Sequence, residues 1–391
     1  MELAAGQVIS TILKHDRKVT SYKIALLRAI NDVVLSFPDV WAFQQDVAVP
    51  LRLLAEYWVA YYWPFVDPSN PIYQGQRANG KNDMGFRAEL TQFRAEWEQF
   101  NGELSRPADG FYILNELRIP RRRAIYPASL LGAYQKAIRA IAKTLEMPIR
   151  YAGPGNWTVF EEPKRYDQLS DSIPAWLNQR IIPVPGTQPQ DKCLLISAKL
   201  WQTFQGMSLW VEALCIHEWC LFSERIMQEQ PNLDRGDIYT LLTDRPDNRR
   251  PLTWESNQID LLLMEGHEFV CPWTDKRIVE GTAYDLDHLL PVSIYPINEL
   301  WNLVPSDPGF NRHVKRDRLP SLERLAEARP RLERDYEGYG ASATLAQTLQ
   351  EDVSIRFSTL DTAPSRLSEA VAVVVVRLME QVAESRNWER F

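Results

Sequence analysis

Apolar residues recur at three- and four-residue steps through Ile9 to Phe37, Val49 to Tyr62, Met84 to Phe100 and Leu130 to Leu145. That spacing belongs to helices with one face turned to a core. From Tyr151 to Lys192 the pattern dissolves among turn formers such as Gly153, Pro154, Gly155, Pro183 and Gly186, and no regular element is predicted there. A helical pattern resumes near Leu200 and runs to about Met227, ended by Pro231, with Trp201, Phe204, Trp210, Leu214 and Leu221 suggesting a buried helix. The stretch DRPDNRRP, residues 244–251, has the proline and charge content of an exposed linker. Beyond it, Ile278-Val279 and Tyr284 to Asp287 bracket Gly281 as the strands of a hairpin would. After Leu319 the pattern is helical again, and no internal repeat interrupts the chain.

A chain of 391 residues with 45% apolar content is long enough for two or three cores. No run approaches the eighteen or so apolar residues of a membrane span, and Met1-Glu2-Leu3 lacks the basic-then-apolar layout of a signal peptide. The expected location is therefore cytoplasmic, with no membrane partner. Cys193, Cys215, Cys220 and Cys271 form no C-x-x-C pair, which points to reduced thiols and no zinc knuckle. A net charge of −7 confines contact with nucleic acid to local basic patches. Arg121-Arg122-Arg123 and Arg249-Arg250 read as ordinary solvated faces. The cluster Arg312, Lys315, Arg316 and Arg318 differs, because it adjoins the motif described below.

Two look-alikes fall away on their chemistry. Gly75 to Asn82 nearly spells a phosphate-binding loop, but Asn82 stands where a magnesium-binding hydroxyl is needed. His217-Glu218 begins like a zinc-protease helix, yet Leu221 occupies the place of the second histidine. His217 is expected in a core or interface instead.

The stretch YDLDHLLPVSIYPINELWNLVPSDPGFNRHVKRD, from Tyr284 to Asp317, sets Asp287 and His288 side by side between leucines. Burying such groups is costly unless they are paired or bind a metal. Strand alternation puts Asp285 and Asp287 on one face and His288 on the other. From about Pro308 the chain can turn helical and carry Asn311 and Lys315 along neighbouring faces. Phosphodiester hydrolysis needs a base for water, which histidine supplies near neutral pH. It also needs a divalent cation, for which Asp and Asn oxygens are suitable ligands.

The order Asp287-His288-Leu-Leu-Pro291, then Asn302 fourteen residues after His288, Asn311 nine later, and Lys315, resembles the HNH endonuclease family. With the lead-in Cys271-Pro-Trp-Thr, the resemblance runs from about Cys271 to Pro320 and is nearest to the HNH domains of RNA-guided CRISPR nucleases. It implies a ββα-metal fold, His288 as general base, Asn302 bracing the loop that orients it, and Asp287 and Asn311 as ligands of Mg2+ or Mn2+. His313, two residues past Asn311, competes for the second ligand place, and no structural zinc is expected because Cys271 stands alone.

The expected fold class is mainly α with a small α+β domain. It comprises a helical region over 1–243 for recognition or regulation, a linker over 244–251, the HNH domain over 252–330 and a helical extension over 331–391. The expected activity is metal-dependent cleavage of DNA in bacterial restriction or antiviral defence, by a homodimer or with a protein partner from a defence system. Arg312, Lys315, Arg316 and Arg318 would lie against the phosphates. The competing readings are a catalytically inactive HNH-fold module for nucleic-acid binding or assembly, and a nuclease that cuts RNA.

Overall fold

The structure is a computed structural model that describes residues 5–40, 42–75, 83–171, 181–226, 234–244, 252–291, 298–357, 360, 366–385 and 388–391. The chain is mainly helical with small sheets, and it divides into two compact units, Met1–Pro246 and Asp247–Phe391. The near phosphate-loop at 76–82, the linker at 245–251 and Arg249-Arg250 lie outside the described residues.

In the first unit the periodic stretches form helices α1 (Tyr22–Ser36), α2 (Leu51–Tyr62), α3 (Arg87–Asn101) and α4 (Ala128–Arg150). Ile9 to Phe37 is not continuous, because the chain leaves its first turns at Asp16 and re-enters helix at Tyr22. Helix α5 (Ala198–Ile226) bends at Met207, whose φ of −122° departs from helical geometry. The helices share an aromatic core. Tyr62 meets Phe86 at 5.1 Å and Trp219 at 5.2 Å between ring centroids, within the range where edge and tilted contacts add to area burial.

The turn-rich stretch and its far end contribute short strands that periodicity does not predict, and they pair around an earlier one. β1 (Val47–Pro50) pairs antiparallel with β4 (Lys192–Ile196), which also holds β2 (Lys164–Arg165), while β3 (Ile182–Pro183) runs parallel to β1. The proline in β3 sits on an edge strand, where its missing N–H costs no central ladder bond. Arg122, expected on a solvated face, is instead buried with Glu116 at 3.3 Å. His217 is exposed on α5, and it is Glu218 that turns inward to meet Lys14 at 2.5 Å. The four cysteines are free and buried, and no helix among the described residues is long and apolar enough to cross a membrane.

The second unit packs helices α6 (Thr253–Met264), α7 (Leu322–Gly340), α8 (Ala343–Arg356) and α9 (Leu367–Ser385) around two two-stranded sheets. The hairpin expected across Gly281 does not form. β6 (Arg277–Ile278) pairs with β5 (Phe269–Val270), and β7 (Asp285–His288) pairs with β8 (Leu303–Ser306). The turn closed by Thr282 N–H on the Val279 carbonyl sends the chain to a different partner. Helices α7 and α8 grip the backbone beside β8. Tyr336 and Tyr339 donate their hydroxyls to the carbonyls of Trp301 and Leu303 at 2.6 and 2.7 Å, and Asp352 accepts from Leu300 N–H at 2.7 Å.

Candidate active site

In β7, Asp285 faces Ser306, Asp287 faces Val304 and His288 faces Leu303. Alternation turns the two carboxylates to one side and the imidazole to the other. On the carboxylate side a short helical turn at Pro308–Phe310 opens on the Asp307 side chain, which accepts from Gly309 N–H. The turn continues as a π-helical turn, Asn311–Lys315. Wider than an α-turn, this geometry recurs at functional sites. It ends at Arg316, whose φ of 51° is uncommon for a residue with a Cβ.

Asp287 is buried, with both oxygens engaged. Trp273 Nε1–H donates to Oδ2 at 3.2 Å, and the Lys315 ammonium donates to Oδ1 at 2.9 Å and to the His288 carbonyl at 2.7 Å. Lys315 is 1% exposed, so its expected place at the phosphates is corrected: the π-turn directs its stem inward, where a buried carboxylate needs a counter-charge. Asn311 donates to Asp285 Oδ2 at 3.3 Å, and Arg312 grips the same carboxylate with two bonds, of 2.9 and 2.5 Å. His313 and Arg316 are exposed, and Arg318 is half-buried at 3.6 Å from Glu389.

On the imidazole side, His288 Nε2 lies 2.6 Å from Asn298 Oδ1. Burial lowers the His288 pKa below its ordinary value, against the opposing effects of the Asn298 hydrogen bond and the Asp287 charge. Asn302 is fully buried, and its amide closes on both backbone groups of Leu290. Leu290 N–H donates to Oδ1 at 2.8 Å, and Nδ2 donates to the Leu290 carbonyl at 3.2 Å. Its own carbonyl accepts from Leu289 N–H at 2.8 Å. The chain leaving His288 is thus tied back at its first two residues.

Trp273, Asp285 and Asn298 join the site without being expected there from the sequence. Trp273 stood in the lead-in and Asp285 shared a face with Asp287, so both carried a signal, whereas Asn298 carried none.

Residues 2–242 match the family described as a domain of unknown function (DUF8808). The chain belongs to that family. Residues 271–321 of this DUF8808 protein match the HNH endonuclease family, and the second unit therefore carries an HNH domain. No curated protein and no solved structure matches the chain.

Among the described residues no three His, Cys, Asp or Glu side chains are grouped to hold a metal ion. The donors near the motif are an Asp carboxylate and an Asn amide, hard oxygen ligands that fit a divalent cation keeping most of its waters. Each Asp287 oxygen accepts one hydrogen bond and has a second lone pair.

Proposed function

We propose that the HNH domain of this DUF8808 protein is a metal-dependent endonuclease that hydrolyses phosphodiester bonds in DNA and serves bacterial restriction or antiviral defence. The observation that carries the reading is the pinned strand β7. It holds Asp287 and His288 on opposite faces, with Asn302 clamping the chain just beyond and Asn311 on the adjoining helical turn. His288 is the general base: with its pKa lowered by burial, it is largely unprotonated at neutral pH and can accept a proton from water. Asp287 and Asn311 hold Mg2+ or Mn2+, with His313 the rival for the second place. Such a cation would neutralise charge developing on the phosphate and the leaving oxygen. Arg312, Arg316 and Arg318 meet the flanking phosphates without reading bases. The lead-in Cys271-Pro-Trp-Thr, the motif order and the HNH family match over residues 271–321 support this chemistry.

One observation favours a second reading, an inactive HNH fold that binds nucleic acid. The Lys315 ammonium already neutralises Asp287, as a site without a metal would require. The test incubates the full chain and a His288→Ala variant with plasmid DNA, single-stranded DNA and RNA, with Mg2+ and with chelator. Nicking of plasmid by the wild type alone, and only with metal, supports the nuclease. Binding without cleavage supports the second reading, and cleavage of RNA alone moves the substrate from DNA to RNA.

A further inference from the structure

The segment Trp388–Phe391 lies far along the chain from the motif, yet it returns to the site. Leu319 N–H donates to the Glu389 carbonyl at 3.0 Å, Phe391 N–H to the Leu319 carbonyl at 2.9 Å, and Ser321 N–H to the Phe391 carbonyl at 3.2 Å. Together these form a short parallel bridge centred on Leu319 and Arg390. Trp388 Nε1–H also donates to the Asp317 carbonyl at 2.6 Å. The stretch so held is the one that follows the π-turn bearing Asn311.

The bridge sets the Phe391 ring between two others. It stands edge-on to Trp273, with centroids 5.5 Å apart and planes at 90°, and lies 5.7 Å from Phe310 at 69°. The Arg324 guanidinium caps both phenyl rings, at 5.4 Å from Phe391 and 5.5 Å from Phe310. Trp273 is the residue whose indole N–H holds Asp287, and Phe310 directly precedes Asn311.

We propose that Phe391 is a positioning residue of the nuclease site, an aromatic wedge that fixes the Trp273 indole on Asp287 and the start of the Asn311 turn at one spacing. The proposal rests on the nuclease reading. Its physical basis is that groups which orient a metal ligand without touching the metal typically change affinity or activity by about 10–100-fold when lost. Phe391 is half-buried and packs against the edge of the core without being one of its buried members, so its truncation should loosen the wedge more than the fold.

The experiment uses the full chain and two readouts. One is the Trp273 indole 15N–1H resonance, assigned by its loss in Trp273→Phe, together with its hydrogen-exchange rate. The other is steady-state cleavage of plasmid DNA with Mg2+. In Phe391→Ala the resonance should move and its exchange quicken, and kcat should fall about 10–100-fold at unchanged KM. Phe391→Tyr should restore both. Phe391→Leu keeps apolar volume without a ring edge, and it should resemble Phe391→Ala if the wedge is aromatic and the fold is intact. An unmoved indole in Phe391→Ala and Phe391→Leu overturns the proposal, as does a moved indole with wild-type kcat. A wild-type chain that cuts no DNA while the indole still responds overturns the nuclease reading and supports the hold of Phe391 on Trp273.

Discussion

Lys315 and Asp287 form a buried ion pair across the site, 2.9 Å apart and 28 residues apart in the chain. The same ammonium holds the His288 carbonyl, so one side chain steadies both members of the Asp-His pair. Removing one partner of a buried pair leaves the other charge uncompensated, at a cost of about 3–5 kcal/mol. Lys315→Ala should therefore lower unfolding stability by that order in urea titrations, a loss that a surface lysine would not produce.

Salt dependence separates this lysine from its neighbours. Arg316 is exposed where the π-turn ends, and if it is the phosphate contact proposed above, losing it should flatten the dependence of DNA binding on salt by about one unit of log-log slope. Measured in a His288→Ala background, Arg316→Ala should show that change, whereas Lys315→Met should leave the slope unaltered.

Removing the proposed base, His288, should slow cleavage and spare the fold. His288→Ala is expected to reduce kcat by about 10²–10⁴-fold with DNA affinity and circular dichroism unchanged, as read in plasmid nicking and binding titrations.

Asn302→Ala should affect stability and rate together. It leaves both backbone groups of Leu290 without their amide partner, a cost of about 1–3 kcal/mol for an unsatisfied buried group. It also frees the chain leaving His288. Calorimetric melting and kcat should both fall, while the metal requirement, tested with chelator, should persist.

Stability should also depend on pH through Asp335. This carboxyl is fully buried, accepts from Val270 N–H at 2.9 Å, and is pushed well above its ordinary pKa by burial. The folded chain keeps a proton that the unfolded chain releases. The contribution of Asp335 is therefore full below about pH 4 and declines as pH rises toward its folded value, by at most about 1.4 kcal/mol per pH unit. Asp335→Asn retains the acceptor and cannot ionise. The stability of the wild type relative to this variant should fall between pH 4 and pH 8 in urea unfolding, and equal slopes would show that Asp335 does not carry the dependence.

What could be read from the chain follows from how local each signal is. Helices such as Leu51–Tyr62 announce themselves through periodicity, and Asp287, His288, Asn302 and Asn311 through order and spacing. Strand β8 was hidden because Pro305 reads as a breaker, although this strand is held by its pairing with β7 and by two tyrosines from α7. The strand Val47–Pro50 was hidden for a related reason: its partners, β3 in the turn-rich stretch and β4 at its far end, lie more than a hundred residues away. The inward turn of Lys315 depends on a partner 28 residues upstream and on a π-turn, and composition encodes neither.

The pairing of Asp287 with Val304 and His288 with Leu303 means that the residue count within β7 decides which side each of the two takes. Inserting or deleting one residue within β7 would turn acid and imidazole over together, while the lysine and the clamping asparagine stay where they were. Two residues would restore the faces but carry the pair about 7 Å along the strand. Substitutions here can be tolerated by degrees, but changes of length are all-or-nothing, so the strand should vary in composition among functional variants while never varying in its count of residues.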